Sequence, residues 1–261
     1  MGSCWMKTNK LTAVVITLDE ERNIRRCLES LVPVADEIVV VDSCSTDATE
    51  SICRQFPVVF VARPWQGYIE TKNFANSLSS NDWILSIDAD EALSEELQAS
   101  ILAIKSKNIE RKVFSMNRLM NYCGKWIHHG GWYPDAKIRI FNRRDVRWIG
   151  KKVHETLQIP DGFSTVHLSG DLLHYSFYSE EEHRRQARKF ARLSAEEAVE
   201  AGRSASAFAG FLHAGWRFVR DYLFKMGFLD GRAGWTICKI NSIDNIFEKY
   251  RLIRQFSNLH K

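Results

Sequence analysis

The sequence predicts an α/β fold with a mostly parallel central sheet, a mixed second half and a C-terminal helical tail. Three observations lead there. Before Asp90, four short apolar runs alternate with three helix-like patterns, and such alternation builds right-handed βαβ units. After Lys107 the spacing changes to the two-residue period of antiparallel strands, plainest in Ile138-Arg139-Ile140. From Glu180 onward the chain is helical, charged at first and then aromatic and basic.

Leu11 to Thr17 reads as the first strand, and Glu20-Glu21 open a helix with Ile24, Leu28 and Leu31 on one face, stopped near Pro33. Glu37 to Val41 is a second buried strand ending at Asp42. Ser43 to Asp47 is a polar turn, with Ser45 or Thr46 as N-cap of a helix carrying Ile52 and Phe56. Val58 to Ala62 is the third strand, and a helix from Gly67 to Leu78 leads into the fourth, Trp83-Ile84-Leu85-Ser86-Ile87-Asp88. A helical pattern follows through Leu93, Leu97, Ile101 and Ile104. Lys112 to Tyr122 and Ala136 to Asn142 alternate as strands, separated by Gly124 and Gly130-Gly131. Glu180 to Ala201 and Ser204 to Leu229 are helical. The expected domains are a leader (1–10), disordered or left from cloning, a catalytic domain (11–178) and a helical region (179–261).

A chain of 261 residues, 45% hydrophobic, buries a substantial core. Its net charge is +4, unevenly spread. Arg111 to Lys152 carries eleven Lys/Arg against two Asp, and Arg203 to the end carries ten against four acids. Two basic regions in a nearly neutral protein point to an anionic partner. Nucleic acid would also match that charge, but no nucleic-acid-binding motif is present. Cys4, Cys27, Cys44, Cys53, Cys123 and Cys238 form no C-x-x-C pair and no zinc spacing, the usage of a reduced, cytosolic protein. No signal peptide is evident, and no apolar run reaches the roughly 18 residues of a spanning helix.

Three strand ends place polar groups at one sheet edge: Thr17 to Glu20, Asp42 to Asp47, and Asp88 to Asp90. A crevice beyond the carboxyl ends of parallel strands suits a nucleotide. No G-x-G-x-x-G follows the first strand and no P-loop occurs, which disfavours dinucleotide and P-loop chemistry. Asp88 and Asp90, two apart, share a face on a regular strand, and a hard divalent cation resolves their repulsion. The duller reading is that these acids cap the next helix.

Val-Ile-Thr-Leu-Asp-Glu-Glu-Arg-Asn-Ile (15–24), Ile-Val-Val-Val-Asp-Ser-Cys-Ser-Thr-Asp (38–47) and Trp-Ile-Leu-Ser-Ile-Asp-Ala-Asp-Glu (83–91) resemble the family 2 glycosyltransferases of the GT-A fold. Gly-Lys-Trp-Ile-His-His-Gly-Gly-Trp-Tyr-Pro-Asp (124–135), Val-His-Glu (153–155) and Gly-Phe-Leu-Asp-Gly (227–231) resemble one branch, the lipopolysaccharide inner-core β-1,4-glucosyltransferases. The resemblance implies that Thr17 and Glu20 contact the uridine or its ribose, that Asp42 contacts the base edge, and that Lys72 lies near the phosphates. It implies that Asp88 faces ribose and metal, that Asp90 ligates the metal, and that His174 completes the metal site. It also implies that Glu155 is the catalytic base, with His154 next in line. Two departures stand out. The usual Asp-Asp-Gly-Ser-Thr-Asp turn is here Asp-Ser-Cys-Ser-Thr-Asp, and Asp19 replaces the more frequent Asn.

Such an enzyme takes a UDP-sugar, with Mg²⁺ or Mn²⁺ stabilising charge on the departing diphosphate. In-line attack by an acceptor hydroxyl inverts the sugar's C1, so an α-linked donor gives a β-linked product. The basic run from Arg111 to Lys152 fits an anionic glycolipid acceptor, and His128 and His129 fit an acceptor loop. Trp126, Trp132 and Tyr133 either stack on sugars or pack. Phe208, Phe211, Leu212, Trp216 and Leu223 recur at helical spacing, opposite Arg217, Arg220 and Lys225. That is the pattern of a membrane-surface anchor, with packing on the catalytic domain or in a homo-oligomer as the rival. The expected location is the inner face of the cytoplasmic membrane. Two other functions compete: a polyprenyl-phosphate glycosyltransferase, and a non-catalytic receiver-like α/β binding module with Asp42 at its acidic strand end.

Overall fold

The computed structural model describes residues 9–151 and 154–259; of Lys151, His154, Asn258 and Leu259 it describes the backbone alone. Most of the expected leader, residues 1–8, lies outside the described residues. Asn9 is tied down, its backbone N–H donating to Lys105 O at 2.8 Å.

The chain divides into two compact units. The first runs up to Arg118 and includes Asp135–His174; the second comprises Leu119–Pro134 and the chain from Tyr175 onward.

The first unit is built on strands β1 (Leu11–Thr17), β2 (Glu37–Asp42), β3 (Val59–Ala62) and β4 (Trp83–Asp88), all parallel. Helices α1 (Ile24–Leu31), α2 (Thr49–Cys53) and α3 (Tyr68–Ser77) are the crossovers. Strand β5 (Glu91–Leu93) and helix α4 (Glu95–Lys105) follow, then β6 (Lys112–Tyr122), β7 (Lys125–Ile127), β8 (Ala136–Asn142) and β11 (Ser164–Phe177). The sheet order is β3-β2-β1-β4-β8-β6-β11-β5, with β7 on β6. Strand β4 pairs antiparallel with β8, so the parallel part ends there. The fold class is the one the sequence predicts.

Alternation along the strands decides which face each side chain fills. Leu11, Ala13 and Val15 join α1 and α4 in one apolar layer, while Val14 and Ile16 join Ala75 of α3 in the other. A sheet covered on both faces explains why β1 and β2 read as almost continuous apolar runs. Register then sets the strand ends side by side, Thr17 opposite Asp42 and Ile16 opposite Asp88.

Several elements differ from the sequence expectation. Leu93 belongs to β5 rather than to a helix, and α4 starts after Ser94, whose hydroxyl accepts from Leu97 N. Ser45 and Thr46 do not cap α2; both bond the Asp19 backbone or carboxylate instead. Strand β11 and the antiparallel hairpin β9 (Arg147–Lys151) and β10 (His154–Gln158) carry no strong sequence signal.

The second unit holds α5 (Glu180–Glu200), α6 (Ala207–Val219), α7 (Gly231–Ile240) and α8 (Glu248–Leu259). The expected helix to Leu229 breaks earlier. After α6 a π-helical stretch covers Arg220–Phe224, Met226 turns left-handed at φ 56°, and a 3₁₀ turn spans Gly227–Asp230. Gly227 and Gly234 are fixed by close approach, since a Cβ on Gly234 would lie 1.9 Å from Gly227 O. No helix among the described residues is long and apolar enough to cross a membrane.

Candidate active site

The site lies at the strand ends of the first unit. Thr17 Oγ1 is buried without a hydrogen-bond partner, and so is the Ser43 hydroxyl beyond β2. Asp42 is buried, its Oδ2 accepting from Ser45 N at 2.8 Å and its Oδ1 from the Ser45 hydroxyl. Both carboxylate oxygens of Asp42 are thus engaged by Ser45 inside the loop. That loop is laced to the one after β1. Asp19 N donates to Ser45 Oγ at 2.8 Å, Asp19 Oδ1 accepts from Thr46 N at 2.8 Å, and Glu20 N donates to Thr49 Oγ1 at 2.8 Å. Two of the departing residues sit in left-handed backbone, Asp19 at φ 52° and Cys44 at φ 67°. Burial raises the Glu20 carboxyl to about 7, against the Nδ2–H donated by Asn23.

Strand β4 stops at Asp88, so Asp88 and Asp90 do not continue one strand face, and they find different partners. Asp88 Oδ1 lies 3.3 Å from Lys72 Nζ, and Oδ2 accepts from Arg139 Nη2 at 3.0 Å. Burial opposes its charge, but Lys72 and Arg139 outweigh burial and hold Asp88 well below the usual carboxylate range. Asp90 Oδ2 lies 2.9 Å from His174 Nε2. That meeting is arranged by β11, whose His174 sits opposite Glu91 of β5 in the antiparallel register.

Lys72 is the hub. Its ammonium, buried on α3, is 3.3 Å from Asp88 and 3.7 Å from Glu155 Oε1, and 4.6 Å from the centre of the Trp148 ring. Asn73, next along α3, grips the hairpin that carries Glu155, donating Nδ2–H to Trp148 O at 2.9 Å and accepting from Trp148 N at 3.1 Å. The His154 side chain lies outside the described residues.

Two residues that the sequence reading missed complete this centre. Arg139 of β8 and Glu91 of β5 are both buried, with Arg139 Nη2 donating to Glu91 Oε1 at 2.5 Å. Burial raises the Glu91 pKa despite Arg139, and Glu91 with Asp88 keeps Arg139 charged. Arg118 Nη1 stands 3.8 Å from Glu91 and its Nη2 donates to Asp135 at 2.8 Å. A lone Arg in an alternating strand gives no local sign of such a role; the polar Arg139 between Ile138 and Ile140 was the only signal. Trp65 and Tyr68 form an edge-to-face pair at 4.7 Å, with Tyr68 over Lys72, and both rings are half-exposed.

In the second unit, His129 is clamped by the buried Asp230, which accepts from His129 N at 2.8 Å and faces its Nδ1 at 3.1 Å. Trp132 packs with Tyr122, Phe177 and His183, so packing accounts for it.

The fold family implies a divalent cation, and the donor set fits one. Asp90 offers a hard oxygen and His174 an imidazole nitrogen at the same point. Among the described residues no three acidic, His or Cys side chains gather as a complete ligand set. A site of this kind suits an ion whose other positions are taken by water and substrate phosphates.

The model of glycosyl transferase family 2 matches residues 12–155. An uncharacterized glycosyltransferase of Rickettsia typhi is 30% identical over 236 residues, covering 87% of this chain and 81% of that protein. The lipopolysaccharide core biosynthesis glycosyltransferase LpsC of Rhizobium meliloti is 32% identical over 207 residues, covering 74% of this chain and 73% of that protein. Among solved structures, S. aureus TarS aligns with a TM-score of 0.43 at 16% identity, covering 84% of this chain and 45% of that one.

Proposed function

The chain belongs to glycosyl transferase family 2 and is a glycosyltransferase, and on that premise we propose that it moves a hexose, glucose first, from a UDP-sugar to an anionic lipid-linked glycan. The acceptor class we favour is the lipopolysaccharide inner core, in keeping with the similarity to LpsC. The enzyme is proposed to act at the inner face of the cytoplasmic membrane.

The observation that carries this reading is the link Asp88–Lys72–Glu155. One buried cation ties a strand-end carboxylate on the nucleotide side to the carboxylate proposed as base. Thr17, Glu20 and Asp42 bind the nucleoside in this reading, and the orphaned hydroxyls of Thr17 and Ser43 are donors in search of an acceptor. Asp90 and His174 would hold Mg²⁺ or Mn²⁺, which would supply positive charge against the diphosphate. Glu155 takes the proton from the attacking acceptor hydroxyl, help typically worth ~10²–10⁴-fold. Lys72 and Arg139 hold Asp88 ionised and fixed, so Asp88 does not have to reorganise as charge moves. The half-exposed Trp65–Tyr68 edge offers an apolar face to a sugar ring.

A polyprenyl-phosphate acceptor is the second reading. It needs no base, because a phosphate is already ionised, so a carboxylate at the Glu155 position favours the hydroxyl acceptor. The deciding experiment is donor hydrolysis across UDP- and other nucleotide sugars, with and without Mn²⁺. Turnover of a UDP-hexose that depends on the metal is expected. Silence with every donor and metal would favour a non-catalytic binding module.

A further inference from the structure

Helix α6 exposes the side that a globular helix normally hides. Its inward side is small: Gly210 and Ala214 are buried, and a Cβ on Gly210 would meet the Cβ of Tyr250 on α8 at 2.7 Å. His213 also turns to Tyr250 and stacks on it at 5.2 Å. Outward stand Phe208, Phe211, Leu212 and Trp216, continued by Leu223 and Phe224 of the π-helical stretch. Phe208 is 72% exposed, Phe211 66% and Phe224 69%. From 207 to 216 the helix carries no Asp, Glu, Lys or Arg. A contiguous exposed aromatic face of this kind marks a contact surface.

The basic residues of this region do not project freely. Arg217 and Arg220 donate their Nε–H groups to the buried carboxylate of Asp221, the second at 2.8 Å, and Lys225 Nζ lies 3.8 Å from it. Three cations on one carboxylate leave a surplus of two positive charges just past the apolar turns. Helical spacing alone sets these cations opposite the apolar side. Here they are gathered into one fixed band.

We propose that this face of α6 and the following π-helical stretch seats in the interfacial layer of an anionic bilayer. The aromatic rings enter at the boundary between headgroups and hydrocarbon, and the Arg217–Arg220–Lys225 band lies against the phosphates. Charge selects this occupant over a second copy of the chain. A bilayer presents apolar matter below and negative charge above, whereas a second copy would set its own positive band against this one. The proposal rests on the reading that the acceptor is a glycolipid. Because apolar contact carries it, binding persists in high salt, while the band makes it stronger on anionic lipid.

The test is co-sedimentation of the full-length protein with vesicles of phosphatidylethanolamine, with and without phosphatidylglycerol, at low and high salt. The wild type is expected to sediment with anionic vesicles and to keep part of that binding in high salt. The double variant Phe211→Ser/Trp216→Ser is expected to lose at least about tenfold in partition. Its circular dichroism and donor hydrolysis are expected to match the wild type, since both side chains face outward. Equal partition of variant and wild type would overturn the proposal. So would a wild type that ignores vesicles and dimerises in light scattering, with dimers lost in the variant. Failure of UDP-hexose hydrolysis would remove the proposed donor and leave the vesicle result standing.

Discussion

Replacing Lys72 by Met tests whether one buried cation holds the site together. Met is unbranched and one atom shorter, so it keeps an apolar stem in place and removes the ammonium together with its approach to the Trp148 ring. Breaking a fully buried pair by deleting one partner costs about 3–5 kcal/mol. Two facts reduce that figure here. Asp88 keeps Arg139 at 3.0 Å, and the Asp88 and Glu155 side chains are 30% and 26% exposed. We expect a loss of about 2 kcal/mol at pH 7. The pH dependence follows from Asp88, whose folded pKa is depressed. Its pairing contributes stability that is complete above the unfolded pKa of about 3.9 and is lost as pH falls toward the folded value. Lys72→Met lessens the depression, so the deficit of the variant is full at neutral pH and shrinks only once pH falls below the variant's own folded pKa, which lies under the unfolded value. Urea unfolding at pH 7, with the slope checked for constancy, measures it. An unchanged midpoint at pH 7 would refute the electrostatic role of Lys72.

Three further outcomes are expected. Asp90→Ala leaves the fold intact and removes Mn²⁺ binding in the presence of UDP, read by calorimetry; unchanged metal affinity would move the ligand elsewhere. Glu155→Gln keeps donor binding and loses transfer by about two orders of magnitude, the lower range for a general base; near-normal turnover would point to His154. Cys44→Gly relieves a left-handed side chain at φ 67°. Relief of about 1–2 kcal/mol, less the added freedom of glycine in the unfolded chain, leaves a gain of about 0.5–1 kcal/mol. Thermal unfolding then rises by about 1–3 °C, and a lower midpoint would show that the Cys44 side chain is needed there.

The sequence by itself determined the parallel half of the sheet and the strand ends that gather the candidate site residues. Leu11–Thr17, Glu37–Asp42 and Trp83–Asp88 are short apolar runs ending in polar residues, a signal contained within each segment. Register then needs only neighbouring strands to align, which brings Thr17, Asp42 and Asp88 together. What only the tertiary structure decided is who neutralises whom. Arg139 reaches Asp88 across 51 positions of sequence and Glu91 across 48, and His174 reaches Asp90 across 84. Asp88 and Asp90 look alike in sequence, yet one faces two cations and the other an imidazole, because β4 ends between them. The same holds for α6: spacing reveals an apolar side, but only the packing of Gly210 against Tyr250 and of the cations on Asp221 decides that this side faces outward. Periodicity is written locally along the chain, whereas the pairing of buried charges depends on strands that meet only after the sheet has formed.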